Sequence, residues 1–238
     1  MKKLLSLFCA ASLLALSFAS HAQEAAVRKA LEDRLGKDFK VDSIAPAPIK
    51  GLFEVRVGTD LFYVDDKAQH LILGQIQDLK SGQNLTQDKL DKFASQAVFN
   101  ADNLKGALKQ VRGNGKRQLV LFEDVNCGYC KKLRAEMEKL TDVTIYTYLI
   151  PILSADSGTK QAGIWCSANK NKAYDDWMLR GVVPTAADSR CASPAEANQK
   201  LAQNLRVNGT PALFFENGKR IPGYVDIAQL ELSLNGKP

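Results

Sequence analysis

The run Gln118-Leu-Val-Leu-Phe-Glu-Asp-Val-Asn-Cys127-Gly-Tyr-Cys130-Lys-Lys-Leu-Arg-Ala-Glu-Met-Glu-Lys-Leu140 changes period in its middle. Residues 118–122 read as a buried strand, whereas Leu133, Met137 and Leu140 recur on one face of a helix that begins near Lys131. The pair Cys127 and Cys130, with Gly128 and Tyr129 between them, therefore sits where a strand turns into a helix. Unpaired backbone N–H groups and the positive end of the helix dipole favour an anionic sulfur at Cys127. Cys130 lies about one turn further on and faces the same side. A disulfide across two intervening residues closes too small a ring to be a good staple, so a redox role is the better reading. The strand ends in Glu123 and Asp124, which are expected to be exposed. Neither is assigned as proton acceptor for Cys130, and that role stays open.

Outward from this motif, the cysteines define a compartment. Met1-Lys2-Lys3, the apolar stretch Leu4 to Phe18 and Ser20-His21-Ala22 have the layout of a cleaved secretory signal covering residues 1–22. The apolar run is shorter than the roughly 20 residues a spanning helix needs. Cys9 leaves with this segment, and so do Lys2 and Lys3 but no acid, so 32 basic residues become 30 against 26 acidic. The charge is mild and scattered. A run such as Lys131-Lys132-Leu133-Arg134 reads as a solvated helix face, and no nucleic-acid partner is implied. Four cysteines remain in a chain expected to be exported: Cys127, Cys130, Cys166 and Cys191. They allow three pairings. Zinc competes poorly, because Cys166 and Cys191 are 25 positions apart and the one remaining histidine, His70, is far upstream. With Cys127 and Cys130 as the redox pair, Cys166 and Cys191 are left to form a structural disulfide. No metal and no cofactor are expected.

Upstream, residues 24 to about 35 form a helix by spacing, followed by the short alternating runs Leu52–Val57, Leu61–Val64 and His70–Gly74. This is a helix on a small antiparallel sheet, with so little core of its own that burial against a second copy is attractive. A polar segment from Asp78 leads into a linker helix through Asn100, and a second helix is expected to end near Gly113-Asn114-Gly115. The remainder adds a strand at 143–150, a hairpin at Asn217-Gly218 and a last helix after Asp226. Between them, a mostly helical insertion at about 154–207 holds Trp165 and Trp177, both read as core, and also Cys166 and Cys191.

The Cys127-Gly128-Tyr129-Cys130 motif, Gly209-Thr210-Pro211 followed by Ala212-Leu-Phe-Phe215, Ile164-Trp165-Cys166, Ala45-Pro46-Ala47-Pro48 and Leu61-Phe-Tyr-Val-Asp65 together closely resemble the DsbC family of protein-disulfide isomerases. A buried carboxylate common in the wider thioredoxin superfamily, six residues before the first cysteine, is replaced here by Leu121. The resemblance implies an α+β, cystatin-like dimerisation domain at 23–83, linker helices at 84–115, and an α/β thioredoxin-fold catalytic domain at 116–238 carrying the helical insertion. It also implies a periplasmic homodimer that isomerises and reduces wrong disulfides in misfolded exported proteins, with Thr210 and a cis Pro211 binding client strands. A membrane thiol reductase of the DsbD type would keep the pair reduced. Two alternatives remain: an oxidase or monomeric reductase of the same chemistry, and a chaperone-like module that binds unfolded chains without using its thiols.

Overall fold

The computed structural model describes residues 21–36 and 38–236. Apart from His21 and Ala22, the expected signal segment and its Cys9 lie outside the described residues. Two compact units divide the chain between Leu90 and Asp91.

In the first unit, helix α1 (21–35) lays Val27 and Leu31 on an antiparallel sheet of order β1-β2-β3-β4. The strands are β1 (Ser43–Pro46), β2 (Leu52–Val57), β3 (Asp60–Asp65) and β4 (Leu71–Ile72). Period-two alternation puts Phe53 and Val55 on the helix side, opposite Val64 and Phe62 across the β2–β3 pair. Gly58 makes the two-residue turn between these strands possible, because it stands at φ +59°. On the other face, Tyr63 and Glu54 are buried beneath the first turns of helix α2 (Leu85–Val98). The Tyr63 hydroxyl lies 2.5 Å from Thr86 Oγ1, and Lys89 pairs with Glu54. Beside β4, Leu71, Ile72 and Leu73 remain exposed, and Leu71 and Leu73 line a groove of about 530 Å³ together with Leu31, Leu35, Phe39 and Leu61.

The second unit is built on a mixed sheet of order β5-β7-β6-β8-β9. Its strands are β5 (Leu108–Arg112), β6 (Arg117–Glu123), β7 (Val143–Leu149), β8 (Ala212–Phe215) and β9 (Arg220–Pro222). Only the β6–β7 pair is parallel. Central strand β6 is covered on both faces, which is why it reads as a continuous apolar run. Leu119 and Leu121 meet Leu133 and Met137 of helix α4 (Gly128–Met137) and Leu230 of helix α8 (Ile227–Leu234). Val120 and Phe122 meet Val98 at the end of α2 and Ala202 of helix α7 (Ala195–Asn204).

The stretch expected to hold a second linker helix ending near Gly113 is different. It contains only the single turn α3 (Ala101–Leu104), after which β5 adds an antiparallel edge to β7. As an edge strand with a single fully buried residue, Leu108, it offers no apolar alternation to read, and its pairing partner lies some 35 residues on. The helical insertion comprises α5 (Ala155–Cys166), α6 (Lys170–Arg180) and α7. Trp165 and Trp177 are half-buried at its rim and do not lie in the core. Lys170 stands over the Trp165 ring at 3.6 Å, and Lys131 and Lys160 over the Trp177 ring at 4.0 and 4.3 Å. Among the described residues no helix is long and apolar enough to cross a membrane.

Candidate active site

Strand β6 delivers the chain to the top of the sheet, and Asp124 makes the turn. Its Oδ1 accepts the Asn126 N–H at 2.8 Å and its backbone carbonyl accepts the Cys127 N–H at 3.0 Å. The same carboxylate anchors the loop after β7, accepting the N–H groups of Ile152 and Leu153 at 2.9 Å each and the Ser157 hydroxyl at 2.7 Å. The indole N–H of Trp177 adds a bond to the Val125 carbonyl at 2.6 Å. Four donors to one carboxylate offset the desolvation of a fully buried charge. Asp124 is thus a buried organiser of two loops, a correction to its expected exposure; its donors lie up to 33 residues away.

Cys127 then caps α4. Its backbone is extended, at φ −70° and ψ 117°, and its Sγ accepts the Cys130 N–H at 3.3 Å. Across the site, the Thr210–Pro211 peptide bond is cis and the Thr210 carbonyl lies 3.4 Å from Cys127 Sγ. Gly128 begins the helix with open space about its α-carbon, and Tyr129 stands 65% exposed beside Tyr224, ring centroids 6.3 Å apart. Both site thiols are free. Cys127 retains 7% exposure and Cys130 none, so only the first can meet a large substrate. Burial, reinforced by the charge of Glu123 and by Cys127, pushes the Cys130 thiol far above the ordinary cysteine range.

Glu123 also departs from expectation, being fully buried at the end of β6. Its Oε2 accepts the Tyr174 hydroxyl, and its Oε1 has no hydrogen-bond partner. Desolvation pushes its carboxyl up from 4.5 to about 7, against the Tyr174 hydrogen bond and the Arg134 charge, which pull it down. Arg134 is another correction: the supposed solvated face hides a guanidinium only 1% exposed, bonded to Asp175 at 2.7 Å and to Glu138. Glu123, Asp124, Tyr174 and Arg134 were all missed as site residues. An acidic pair ending an apolar strand just before a Cys-x-x-Cys was the available signal for two of them.

A stability prediction follows from Glu123. Its folded value lies above its unfolded one, so its contribution is intact below pH 4.5 and lost as pH rises through about 7. Glu123→Gln should therefore gain on the wild type with rising pH, by about 3 kcal/mol between pH 4.5 and 8. Denaturant unfolding across that range checks it; a difference that does not grow with pH would remove the buried ionisation from the account.

Cys166 Sγ and Cys191 Sγ are bonded at 1.98 Å, with their Cα atoms 6.0 Å apart, tying the end of α5 to the segment before α7. No cluster of three or more His, Cys, Asp or Glu among the described residues is arranged to hold a metal ion.

Paired thiols at a strand-to-helix turn, one narrowly open to solvent and one sealed, opposite a cis-proline loop, define a thiol–disulfide exchange enzyme of thioredoxin-like fold. Comparison with known proteins gives the family. Residues 104–236 match the thioredoxin-like domain model and residues 18–87 the disulfide bond isomerase protein N-terminal domain model. The probable thiol:disulfide interchange protein DsbC of Bordetella avium is 42% identical over 86% of this chain and 72% of its own. DsbC of Escherichia coli is 31% identical over 89% and 87%. A crystal structure of a disulfide interchange protein from Neisseria gonorrhoeae matches at 40% identity and TM-score 0.53, covering 56% of this chain and 96% of that one. The chain belongs to the DsbC family of thiol:disulfide interchange proteins.

Proposed function

We propose that this enzyme isomerises and, secondarily, reduces non-native disulfides of exported proteins in the periplasm, working as a homodimer through residues 23 to about 83. The observation that carries the reading is the asymmetry of the pair. Cys127 Sγ is reachable and faces both the Cys130 N–H and the Thr210 carbonyl, while Cys130 is sealed beneath it. The Cys127 thiolate attacks one sulfur of a client disulfide, forming a mixed disulfide and expelling the other client sulfur as a thiolate. A client thiol can then displace Cys127, which completes isomerisation. Alternatively Cys130 displaces the client, which leaves reduced while the pair becomes a disulfide. Thr210 and Pro211 would dock an extended client segment through main-chain bonds, which suits clients of many sequences. A membrane thiol reductase of the DsbD type would return electrons to the oxidised pair. Refolding of a scrambled-disulfide substrate, run against a variant lacking both site cysteines, tests this. Equal recovery by both proteins would favour a thiol-independent chaperone instead.

The Cys166–Cys191 bond serves stability in this scheme. Closing a loop of 25 residues is worth about 3 kcal/mol on the chain-entropy model. A Cys166→Ala/Cys191→Ala double variant should unfold at correspondingly lower denaturant concentration yet still exchange disulfides through Cys127. An unchanged midpoint would show that the bond does not staple the insertion.

A further inference from the structure

Before Cys130 can attack the mixed disulfide it must lose its proton, and no solvent reaches it. Its surroundings are apolar: Leu108, Val125, Leu149, Ile164, Tyr174 and Met178 form one buried cluster with the two cysteines. One group bordering this cluster can take a proton without leaving the interior. Glu123 is fully buried, held through Oε2 by the hydroxyl of Tyr174, itself a member of the cluster, and its Oε1 has no hydrogen-bond partner. A buried carboxylate oxygen without a donor is uncommon enough to need a reason.

We propose that Glu123, oriented by Tyr174, is the internal acceptor of the Cys130 proton in the step that releases the client. The proposal rests on the thiol–disulfide exchange reading and adds to it the proton path. In that step the Cys130 S–H proton passes to the Glu123 carboxylate. The Cys130 thiolate then forms a bond to Cys127 Sγ and breaks the bond from Cys127 to the client sulfur. The client leaves as a thiolate, reduced by the two electrons the cysteine pair gives up, and the proton on Glu123 is afterwards free to pass to the client sulfur or to water.

Electrostatics agree with the geometry. The titratable and charged groups facing Glu123 are Tyr174 of α6 and Arg134 and Cys130 of α4, with Asp175 of α6 holding Arg134. The charge of Glu123 pushes Cys130 towards the protonated form, so the thiol keeps its proton until the carboxylate takes it. Arg134 supplies the compensating cation. A carboxyl that titrates at about 7 is matched to work near neutral pH. The route that needs only Cys127 makes no demand on this relay, so pH should act on reduction more than on isomerisation.

The experiment uses full-length reduced protein and glutathione disulfide. The mixed disulfide of Cys127 with glutathione is formed rapidly, and release of glutathione by Cys130 is followed between pH 5 and 9. For the wild type the release rate should climb up to a break near pH 7 and flatten above it. Glu123→Gln should lose that break and release glutathione about a hundredfold more slowly at pH 8. Tyr174→Phe, which removes the hydrogen bond that holds the carboxyl down, should move the break to higher pH. A break that persists in Glu123→Gln, or stays in place in Tyr174→Phe, would overturn the proposal, and the second variant decides alone if the first does not fold. Failure of the wild type to form any adduct at Cys127 would instead count against the exchange chemistry itself.

Discussion

Cys127→Ser should abolish both reduction and isomerisation, whereas Cys130→Ser should keep part of the isomerase activity and accumulate mixed disulfides with its clients. The difference comes from position on one helix. Cys127 caps α4 with its sulfur toward the Cys130 N–H and retains a path to solvent; Cys130 is one turn inside, sealed under apolar side chains. Removing the first removes the nucleophile, and the loss should exceed about a thousandfold, leaving only uncatalysed exchange. Removing the second leaves the attack intact and blocks only the intramolecular exit, so clients depart through their own thiols or not at all. Non-reducing electrophoresis and scrambled-substrate refolding read the two effects separately. Equal loss in both variants, with no trapped adduct after Cys130→Ser, would refute the division of labour.

Deleting residues 23–83 should convert the protein into a monomeric reductase with little isomerase activity. The catalytic unit carries its own core on both faces of a five-stranded sheet, to which the end of α2 contributes Ala94 and Val98, so a truncation that begins before α2 keeps what it needs to fold. The N-terminal unit is less self-sufficient. Its two-residue edge strand β4 and the apolar groove beside it leave Leu71, Ile72 and Leu73 in water, an arrangement that a second copy would relieve. Two catalytic units tethered in one dimer would hold a released client near a thiolate at millimolar effective concentration. Isomerisation needs such repeated encounters and simple reduction needs one. Sedimentation of both proteins, paired with reductase and isomerase assays, tests the argument. A monomeric full-length protein, or full isomerase activity after truncation, would overturn it.

How much of this was legible beforehand depended on how local each feature is. The buried run of β6, the helix face of Leu133 and Met137, and the Asn217-Gly218 hairpin between β8 and β9 are set by residues a few positions apart, and periodicity and turn chemistry expose them directly. The placement of Cys127 and Cys130 at a strand-to-helix turn was readable for the same reason. So was the helix on an antiparallel sheet upstream, although its first strand, Ser43–Pro46, carries too little pattern to be seen. Strand β5 was read as helix, since its only sheet partner is β7 and a polar edge strand leaves no apolar alternation.

The linear order of the residues by itself determined where the Cys127–Cys130 pair sits, its helix cap and the two layers of apolar side chains on the catalytic sheet, because each is encoded within a turn or two of chain. Only the tertiary structure decided which charges are hidden. Glu123 is buried because Tyr174, 51 positions on, covers it; Arg134 is buried because Asp175, 41 positions on, pairs with it; Asp124 is buried because the loop after β7 supplies its donors. A charged side chain enters a protein interior only where hydrogen-bonding or ionic partners meet it, and those partners are brought there by the fold.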